Sequence, residues 1–263
     1  MVKPEICSPQ QKKNKKYTCY SNSHLYQLKH KYNRTHKQRI NANTPLDIWK
    51  ELNSKLSKCS TESCWSKELN VPANDVFAPK SPTSWKKNKN EWLSSVEITE
   101  VLKQYEKAYP TFKYIGASPS DYFFKEQNGQ CVCPELCNLN VNKIRYKDIG
   151  IVFNLDEHDG EGTHWVSVFI DRRKKVIYYF DSAGEKIHKN INVLVKQIQN
   201  QDSKYTFEEN HPKEHQFKNT ECGMYALFFI ITMLKTHNYD YFKNKPSFPD
   251  EKIEKLRKKY FNS

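Results

Sequence analysis

Two stretches of the chain place apolar residues at helical spacing. Thr44 can cap the first predicted helix, because Pro45 follows at the first helical position and Asp47 lies in the first turn. Its apolar stripe consists of Ile48, Trp49, Leu52 and Leu56. The second predicted helix opens at Trp92-Leu93 and ends before Tyr109-Pro110, and its stripe consists of Ile98, Val101, Leu102 and Tyr105. Each stripe predicts a helix that packs one face against a core.

Farther along the chain, short apolar runs separated by polar turns predict strands. They cover residues 149–155, 164–170 and 176–181, and a turn at Arg172-Arg173 joins the last two into a hairpin. The stretch from Met224 to Leu234 has almost no polar face, which predicts a buried central helix. The fold class that follows is α+β, with a small mixed or antiparallel sheet flanked by helices.

The N-terminal part of the chain differs from the rest. Residues 1–40 are polar and basic, include the run Lys12-Lys13-Asn14-Lys15-Lys16, and therefore predict an arm that orders only partly. Pro72, Pro79 and Pro82 lie among Asn and Ser residues and mark a linker. We therefore predict a basic, mainly helical N-terminal arm domain at residues 1–84 and a catalytic domain at residues 85–263.

Charge is concentrated in that first part. The 263 residues include 43 Lys and Arg against 30 Asp and Glu, a formal net charge of +13. Residues 1–58 hold 13 of the basic residues and only three acidic ones, Glu5, Asp47 and Glu51. Such a surface attracts polyanions, so it predicts either non-specific DNA or RNA binding or a solvated surface without a specific partner.

The eight cysteines bear on compartment and on metal binding. The chain is rich in lysine, shows no signal peptide and has no apolar run of membrane-spanning length. We therefore expect a reducing compartment, free thiols without disulfides, and no membrane span. Cys131, Cys133 and Cys137 lie close together, but their spacing fits no common zinc finger, so no metal and no cofactor is predicted.

Cys222 stands where the buried helix is predicted to begin. A thiol acts as a nucleophile only as thiolate, and a helix N-terminus favours the thiolate through its backbone N–H groups and dipole. Gly223 leaves space beside the sulfur, and Thr220 or Glu221 could cap the helix. Gln216, six residues earlier, can donate a hydrogen bond to the oxyanion that forms when a thiolate attacks a carbonyl.

The predicted hairpin supplies a base and an orienting acid. With its turn at Arg172-Arg173, His164 lies opposite Asp181, and Cβ atoms of directly opposed residues are about 5 Å apart. The carboxylate can then hold one imidazole nitrogen while the other faces the thiol. His164, Asp181 and Cys222 thus fit the roles of base, orienter and nucleophile in a thiol hydrolase.

The order His164-Trp165, Asp181, Gln216 and Cys222-Gly223 resembles the cysteine-protease clan of the adenovirus maturation protease and the SUMO-specific proteases. The resemblance covers about residues 85–240, and papain-like enzymes differ because their cysteine comes first. Residues 151–154 and Phe180-Asp181-Ser-Ala-Gly184 look most like polyprotein-processing proteases of large DNA viruses such as African swine fever virus. That likeness implies cleavage after Gly-Gly pairs in capsid or core precursors, in the virion and the host cytoplasm.

The resemblance also implies roles for residues around the nucleophile. Trp165 and the Trp92-Leu93 pair would form two walls of a narrow channel that admits residues without a β-carbon. Asn154 would line the oxyanion pocket as in the viral members, or else it is only a turn residue at a strand end.

Two other functions remain open. The same site could release ubiquitin-like modifiers, since these end in Gly-Gly, and the clan also contains acyltransferases with this triad. From a different class, the chain could be a basic nucleic-acid-binding virion protein whose triad is inactive. Oligomeric state and activation by a peptide or DNA are left undetermined by the sequence.

Overall fold

The computed structural model describes residues 2–11 and 17–263, so the predicted lysine run of residues 12–16 lies outside the described residues. The chain divides into two compact units. Unit 1 consists of Met1–Ser81 together with Lys258–Ser263, and unit 2 consists of Pro82–Arg257. The sequence placed a boundary near residue 84 but did not indicate that the C-terminal residues belong with the first unit.

Unit 1 contains the helices α1 (Asn22–Thr35), α2 (Pro45–Lys55) and α3 (Glu62–Glu68). In α2 the side chain of Thr44 accepts the backbone N–H of Asp47, as predicted for its cap. The helices enclose a core of buried side chains, among them Tyr20, Leu25, Leu28, Ile48, Leu52 and Trp65.

The prediction that residues 1–40 order only partly is wrong for the residues that the structure describes there. Ser21 caps α1 by accepting the His24 N–H, and Leu25, Leu28 and Tyr32 bury one face of that helix. The C-terminus also joins this unit, because the Asn262 side chain accepts the Ile6 N–H at 2.6 Å and donates to the Ile6 carbonyl. The prediction was based on the high charge of this segment, but its few apolar residues recur at helical spacing and bury one face of α1.

The expectation of free thiols is also wrong for six of the eight cysteines. Disulfides join Cys7 to Cys19, Cys59 to Cys64 and Cys131 to Cys137, with Cα atoms 5.1, 5.5 and 6.6 Å apart. Cys133 and Cys222 are free. Amino-acid composition can only suggest the redox compartment of a protein, whereas disulfide formation depends on which thiols the fold brings close together.

Unit 2 is built on a five-stranded sheet of order β1-β2-β3-β4-β5. The strands are β1 (Phe112–Pro119), β2 (Asp148–Asn154), β3 (Trp165–Asp171), β4 (Val176–Phe180) and β5 (Thr206–Glu209). The outer pairs are parallel and the two central pairs antiparallel, so the sheet is mixed. β1 and β5 were not predicted, because Gly116 breaks the pattern of the first at a bulge and β5 is short and largely polar.

Helices cover both faces of this sheet. On one face, α6 (Lys189–Gln201) buries Ile191, Leu194 and Ile198 in a cluster with side chains of β2, β3 and β4. On the other, α7 (Cys222–Thr236) packs against β3 and β2, and α4 (Ser95–Ala108) packs against β1 and α7. Burial on both faces explains why β2 and β3 read as continuous apolar runs. The predicted α+β class with a helix-flanked mixed sheet is confirmed.

Both helices predicted for unit 2 occur, although α4 begins at Ser95, three residues after the predicted start at Trp92. In α4, Ser94 and Glu97 form a capping box, and Ile98, Val101, Leu102 and Tyr105 are its buried residues. Nearly every residue of α7 is buried. Shorter helices are a 3₁₀ turn at Thr83–Lys86, α5 (Pro134–Cys137), α8 (Asp240–Lys243), α9 (Asp250–Glu254) and α10 (Arg257–Tyr260). Within the described residues, no helix combines the length and apolarity needed to cross a membrane.

Candidate active site

Cys222 is the first residue of α7 and is buried. The helix places the sulfur at its N-terminus, and no acidic side chain lies in the first turn. Neither Thr220 nor Glu221 caps the helix with its side chain. A rigid, buried helix therefore fixes the thiol at the positive end of the helix dipole.

His164 and Asp181 meet at the edge of the sheet beside this helix. His164 immediately precedes β3, Asp181 immediately follows β4, and His164 Nε2 lies 2.7 Å from Asp181 Oδ1. The predicted register was wrong by two residues, since Val168 pairs with Tyr179. A shift of two keeps every side chain on the same face of the hairpin, which is why the two residues still meet as diagonal neighbours.

The imidazole of His164 interacts with both of the other groups. Burial lowers the pKa of His164, but hydrogen bonds to Asp181 and Cys222 and the negative charges of both partners outweigh it and raise the pKa to about 10. With Nε2 bonded to Asp181, Nδ1 is the ring nitrogen that serves Cys222. At neutral pH the site therefore holds a protonated imidazole between two acidic groups.

Asn210 fixes the backbone of Asp181 and was not identified from the sequence. Its side chain accepts the Asp181 N–H at 2.9 Å and donates to the Asp181 carbonyl at 2.7 Å and the Lys213 carbonyl at 2.7 Å. The carboxylate Oδ1 also accepts the Ala183 N–H at 2.8 Å. Asparagine is common in turns, so only the contacts reveal that this one is buried and holds Asp181 in place.

Gln216 is held by Ser182, the residue after Asp181. The Ser182 hydroxyl donates to Gln216 Oε1 at 2.7 Å, and the Ser182 carbonyl accepts the Gln216 N–H at 2.9 Å. Because the amide oxygen is occupied by a hydroxyl donor, the amide nitrogen is oriented as a donor, and one of its hydrogens goes to the Lys218 carbonyl. Ser182 was not singled out from the sequence.

Glu221, the residue before Cys222, is completely buried. Arg257 Nε and Nη2 donate to its two carboxylate oxygens, each at 3.1 Å. Burial raises the pKa of Glu221, and the Arg257 hydrogen bonds and charge act against that rise. This bidentate ion pair connects the start of α7 to the last residue of unit 2. The sequence did not predict the pair, because its two residues are 36 positions apart.

The predicted channel residues lie around the start of α7. A β-carbon added to Gly223 would lie 2.8 Å from Leu93 Cβ, and Trp165 Nε1 donates to the Leu93 carbonyl at 2.8 Å. Trp92 is half-exposed, Trp165 is buried, and both line one pocket. The segment Trp92-Leu93 is thus fixed between α7 and β3.

Asn154 lies at the end of β2 in the wall of that same pocket. Its side-chain carbonyl accepts the N–H groups of Asp156 and Thr163, each at 3.0 Å, and so closes the loop between them. The turn role proposed for Asn154 therefore has direct contacts, and a part in an oxyanion pocket stays a prediction.

The possible thiol ligands for zinc are largely consumed by disulfides, since Cys131 and Cys137 are bonded to each other. Another cluster was not foreseen: Asp148, Asp171 and His237 bring ligand atoms within 4.8 Å of one another. Arg173 Nη2 already donates to Asp148 Oδ1 at 3.1 Å and contacts the His237 ring. The guanidinium supplies the positive charge that a metal would otherwise provide.

Comparison with known proteins identifies a family for this chain. The model of the Ulp1 protease family, C-terminal catalytic domain, matches residues 96–263. A protein of Acanthamoeba polyphaga mimivirus named as a thiol protease is 29% identical over 297 residues, covering 98% of this chain and 93% of the relative. A SUMO-1 cysteine protease of African swine fever virus is 26% identical, covering 81% and 89% respectively.

The fold has a counterpart among solved structures. The crystal structure of an African swine fever virus protease matches with a TM-score of 0.72 at 22% identity, and covers 100% of this chain and 97% of that one. The family model includes His164, Asp181, Gln216 and Cys222 within its matched residues. On the strength of that match, the chain belongs to the Ulp1 protease family and is a cysteine endopeptidase.

Proposed function

We propose that Cys222 is the nucleophile, His164 the base and Asp181 the orienter of a thiol endopeptidase that cleaves after Gly-Gly pairs. The observation that carries this assignment is the His164 imidazole, which hydrogen-bonds Asp181 at 2.7 Å and also Cys222. A buried cysteine at a helix start would by itself be a common core residue. A histidine shared between that thiol and a buried carboxylate is an arrangement specific to catalysis.

The residues suggest a definite sequence of steps. The Cys222 thiolate attacks the scissile carbonyl carbon, and the Gln216 amide and the Cys222 backbone N–H donate to the resulting oxyanion. When the C–N bond breaks, His164 gives its proton to the leaving amine and an acyl-enzyme remains. Water then adds to the thioester, His164 takes the proton from that water, and Cys222 leaves as thiolate.

The preference for glycine follows from the close contacts around the nucleophile. Leu93 packs against Gly223 and carries the Trp165 hydrogen bond, so the space beside Cys222 is bordered by Trp165 and by the Trp92-Leu93 segment. A side chain on either of the last two substrate residues before the scissile bond would meet these walls. Glycine avoids that clash because it has no β-carbon.

We propose structural polyprotein precursors as the substrates, cleaved where virions assemble in the host cytoplasm, because the sequence resembles the polyprotein-processing proteases of large DNA viruses. One of the viral relatives is named as a SUMO-1 cysteine protease, and this name supports release of ubiquitin-like modifiers as the alternative. In both kinds of substrate, the part that is transferred to Cys222 ends in Gly-Gly. They differ in what surrounds the glycines, and whole-protein substrates therefore distinguish them.

Unit 1 supplies a second, weaker proposal, non-specific binding to nucleic acid. An open groove of about 820 Å³ in this unit is lined by His30, Lys31 and Arg34 of α1. No element with a base-reading arrangement is recognised there, so the affinity would come from counterion release and would fall steeply with salt. This binding would bring the protease to nucleic-acid-rich assembly sites.

The testing experiment compares substrates with one enzyme preparation. Internally quenched peptides containing Gly-Gly-Ala or Ala-Ala-Ala, a SUMO precursor and a ubiquitin precursor are incubated with the full chain and with Cys222→Ala. We expect cleavage of the Gly-Gly peptide only, abolished in Cys222→Ala, and labelling of Cys222 by a peptide vinyl sulfone. Turnover by Cys222→Ala, or no labelling of the unchanged chain, would overturn the assignment. Preferred cleavage of the SUMO precursor would favour the modifier alternative.

A further inference from the structure

A pocket of about 490 Å³ adjoins the proposed glycine channel in unit 2. Trp92, Leu93 and Trp165 form one side of it, and the loop after β2 contributes Asp156, Glu157 and Glu161. We call this the acidic pocket. Among its described lining residues there is no Lys or Arg, although basic residues outnumber acidic ones 43 to 30 in the chain.

The carboxylates of the acidic pocket differ in how much they are already used. Asp156 accepts the N–H groups of Glu157 and Gly162, at 3.0 and 2.9 Å, and so shapes the loop. Glu157 and Glu161 are exposed, and the described part of the chain offers neither of them an ion-pair partner. Two negative charges are therefore available to a ligand.

A buried hydroxyl in the pocket wall also lacks a partner. Ser118 of β1 is 2% exposed, and its Oγ has no hydrogen bond within the described residues. Buried polar atoms in native proteins are nearly always paired, so an unpaired hydroxyl in a pocket wall is available to a group that arrives with a ligand. Its hydroxyl oxygen has lone pairs that can accept a hydrogen bond from a cationic donor.

His158 is the one lining residue that can carry positive charge. Its Nδ1 lies 2.6 Å from Asp121 Oδ2, and this hydrogen bond, together with nearby carboxylates, raises the pKa of His158. The charge on a protonated His158 is therefore already matched by Asp121 beneath it. The charge of Glu157 and Glu161 remains uncompensated.

We propose that the acidic pocket binds a Lys or Arg side chain that precedes the two glycines of the substrate. The proposal rests on the function assigned above, because it takes the glycines to occupy the channel. The pocket shares the channel walls Trp92, Leu93 and Trp165, but Cys222 and His164 are not among its described lining residues. In this proposal the pocket lies at the end of the channel away from the scissile bond, where the residues that precede the glycines run.

The two kinds of wall match the two parts of a basic side chain. The indoles of Trp92 and Trp165 can cover the aliphatic stem, and a guanidinium can also stack on an aromatic face. Glu157, Glu161 and the Ser118 hydroxyl then accept hydrogen bonds from the cationic end. A glutamate in the same place would meet two like charges and no cation except the already paired His158.

The test measures binding and cleavage separately. Labelled peptides share Gly-Gly-Ala and carry Arg, norleucine or Glu at the two positions before the glycines. Their affinity for the full chain with Cys222→Ala is measured by fluorescence anisotropy, and their cleavage is measured with the unchanged chain. We expect the Arg peptide to bind about tenfold more tightly than the norleucine peptide, because a partly screened charge-assisted hydrogen bond changes an affinity by about that factor. The Glu peptide should bind most weakly.

A loop variant provides the matched control. Glu157→Gln with Glu161→Gln should remove the preference for Arg and leave norleucine binding unchanged. Asp159→Asn removes one charge from the same loop at a residue outside the described pocket lining, and should keep most of the preference. Equal binding of Arg and norleucine peptides, or an Arg preference that survives the double variant, would overturn the proposal. If binding depended on Arg but no peptide were cleaved, the proposed pocket would be supported and only the protease assignment would be contradicted.

Discussion

Gly223 approaches Leu93 so closely that a β-carbon at position 223 would stand 2.8 Å from Leu93 Cβ and 3.1 Å from its Cδ1. Non-bonded carbons do not approach to 2.8 Å without a shift of one of them. The nucleophile helix and the Trp92-Leu93 segment are therefore in contact at the residue next to Cys222. This contact links the width of the proposed glycine channel to the position of the sulfur.

Gly223→Ala should therefore lower both stability and peptide cleavage. Helix propensity alone predicts the opposite sign, since alanine is about 1 kcal/mol more favourable than glycine within a helix. Leu93→Ala removes two of the three contacting atoms, so in a double-mutant cycle it should relieve part of the defect. Thermal unfolding and kcat/KM of the four proteins provide the check. A more stable and fully active Gly223→Ala protein would show that the contact is not restrictive.

The three proposed catalytic residues should differ in how much their loss costs. Cys222→Ala should reduce cleavage to background, and His164→Ala should be nearly as damaging because no other described group bonds both partners. Asp181→Asn keeps a hydrogen-bond partner for the imidazole but loses the charge, so its effect should be smaller. Single-turnover rates, with circular dichroism as the folding control, measure these effects. Equal small losses in all three variants would contradict the assigned roles.

Peptide cleavage should remain active up to a high pH. The pKa of about 10 for His164 keeps the imidazole protonated far above the ordinary value of about 6.5. Because folding raises this pKa, the associated stability is fully present below the unfolded-state value and is lost as pH rises through the folded value. Cleavage by the unchanged chain should thus persist in alkaline solution and fall only near pH 10.

Asp181→Asn is the control for that profile. Removing the carboxylate charge should move the falling limb of kcat/KM to lower pH, since the Asp181 charge is one cause of the raised His164 pKa. Profiles are recorded for both proteins under identical ionic strength. A falling limb in the neutral range for the unchanged chain, or identical profiles for the two proteins, would be inconsistent with the proposed thiolate–imidazolium pair.

Ser182 should act as a positioning residue through Gln216. Its hydroxyl donates to Gln216 Oε1 at 2.7 Å, so Ser182→Ala frees the amide to rotate. We expect kcat to fall about tenfold with KM little changed, less than the loss of two to three orders of magnitude for removing an oxyanion donor outright. In a Gln216→Ala background the same change should have little further effect. An additive loss would mean that Ser182 acts independently of Gln216.

The sequence predicted those parts of the molecule that depend on local pattern. Periodicity gave α4 with its four buried residues, and the residue types at strand ends and at the start of α7 gave His164, Asp181 and Cys222. A hairpin register two residues in error still paired the right side chains, because side-chain direction alternates with a period of two. The wrong expectations concerned the arm, the disulfides, the exact register of the hairpin and the side-chain cap of α7.

What the sequence could not supply depends on long-range contacts. Asn210 and Ser182 support the site from ordinary turn positions, and the Ser118 hydroxyl becomes notable only once its neighbours are known. Disulfides likewise depend on three-dimensional proximity. Composition carries no information about any of these contacts, whereas helix and strand periods reflect burial along the local chain.

The buried pair of Glu221 and Arg257 yields the last prediction. Arg257→Met removes both hydrogen bonds to a completely buried carboxylate, and also the contact of the guanidinium with the Trp85 ring, 4.5 Å from its centroid. Loss of one partner of a buried ion pair typically costs about 3–5 kcal/mol. Lys258→Met, an exposed neighbour, should change stability by no more than about 0.5 kcal/mol.

The pH dependence of that loss identifies its cause. Without Arg257, burial favours the neutral carboxyl, so the pKa of Glu221 in the folded protein should rise further above its unfolded value. A raised carboxyl pKa means that the folded state takes up a proton, and the Arg257→Met protein should therefore be least destabilised in mild acid and lose stability as pH rises. Adding Glu221→Gln should restore part of the stability at neutral pH and flatten the dependence. Urea unfolding of the three proteins at mildly acidic and neutral pH measures this, and a loss independent of both pH and Glu221→Gln would assign the effect to the Trp85 contact instead.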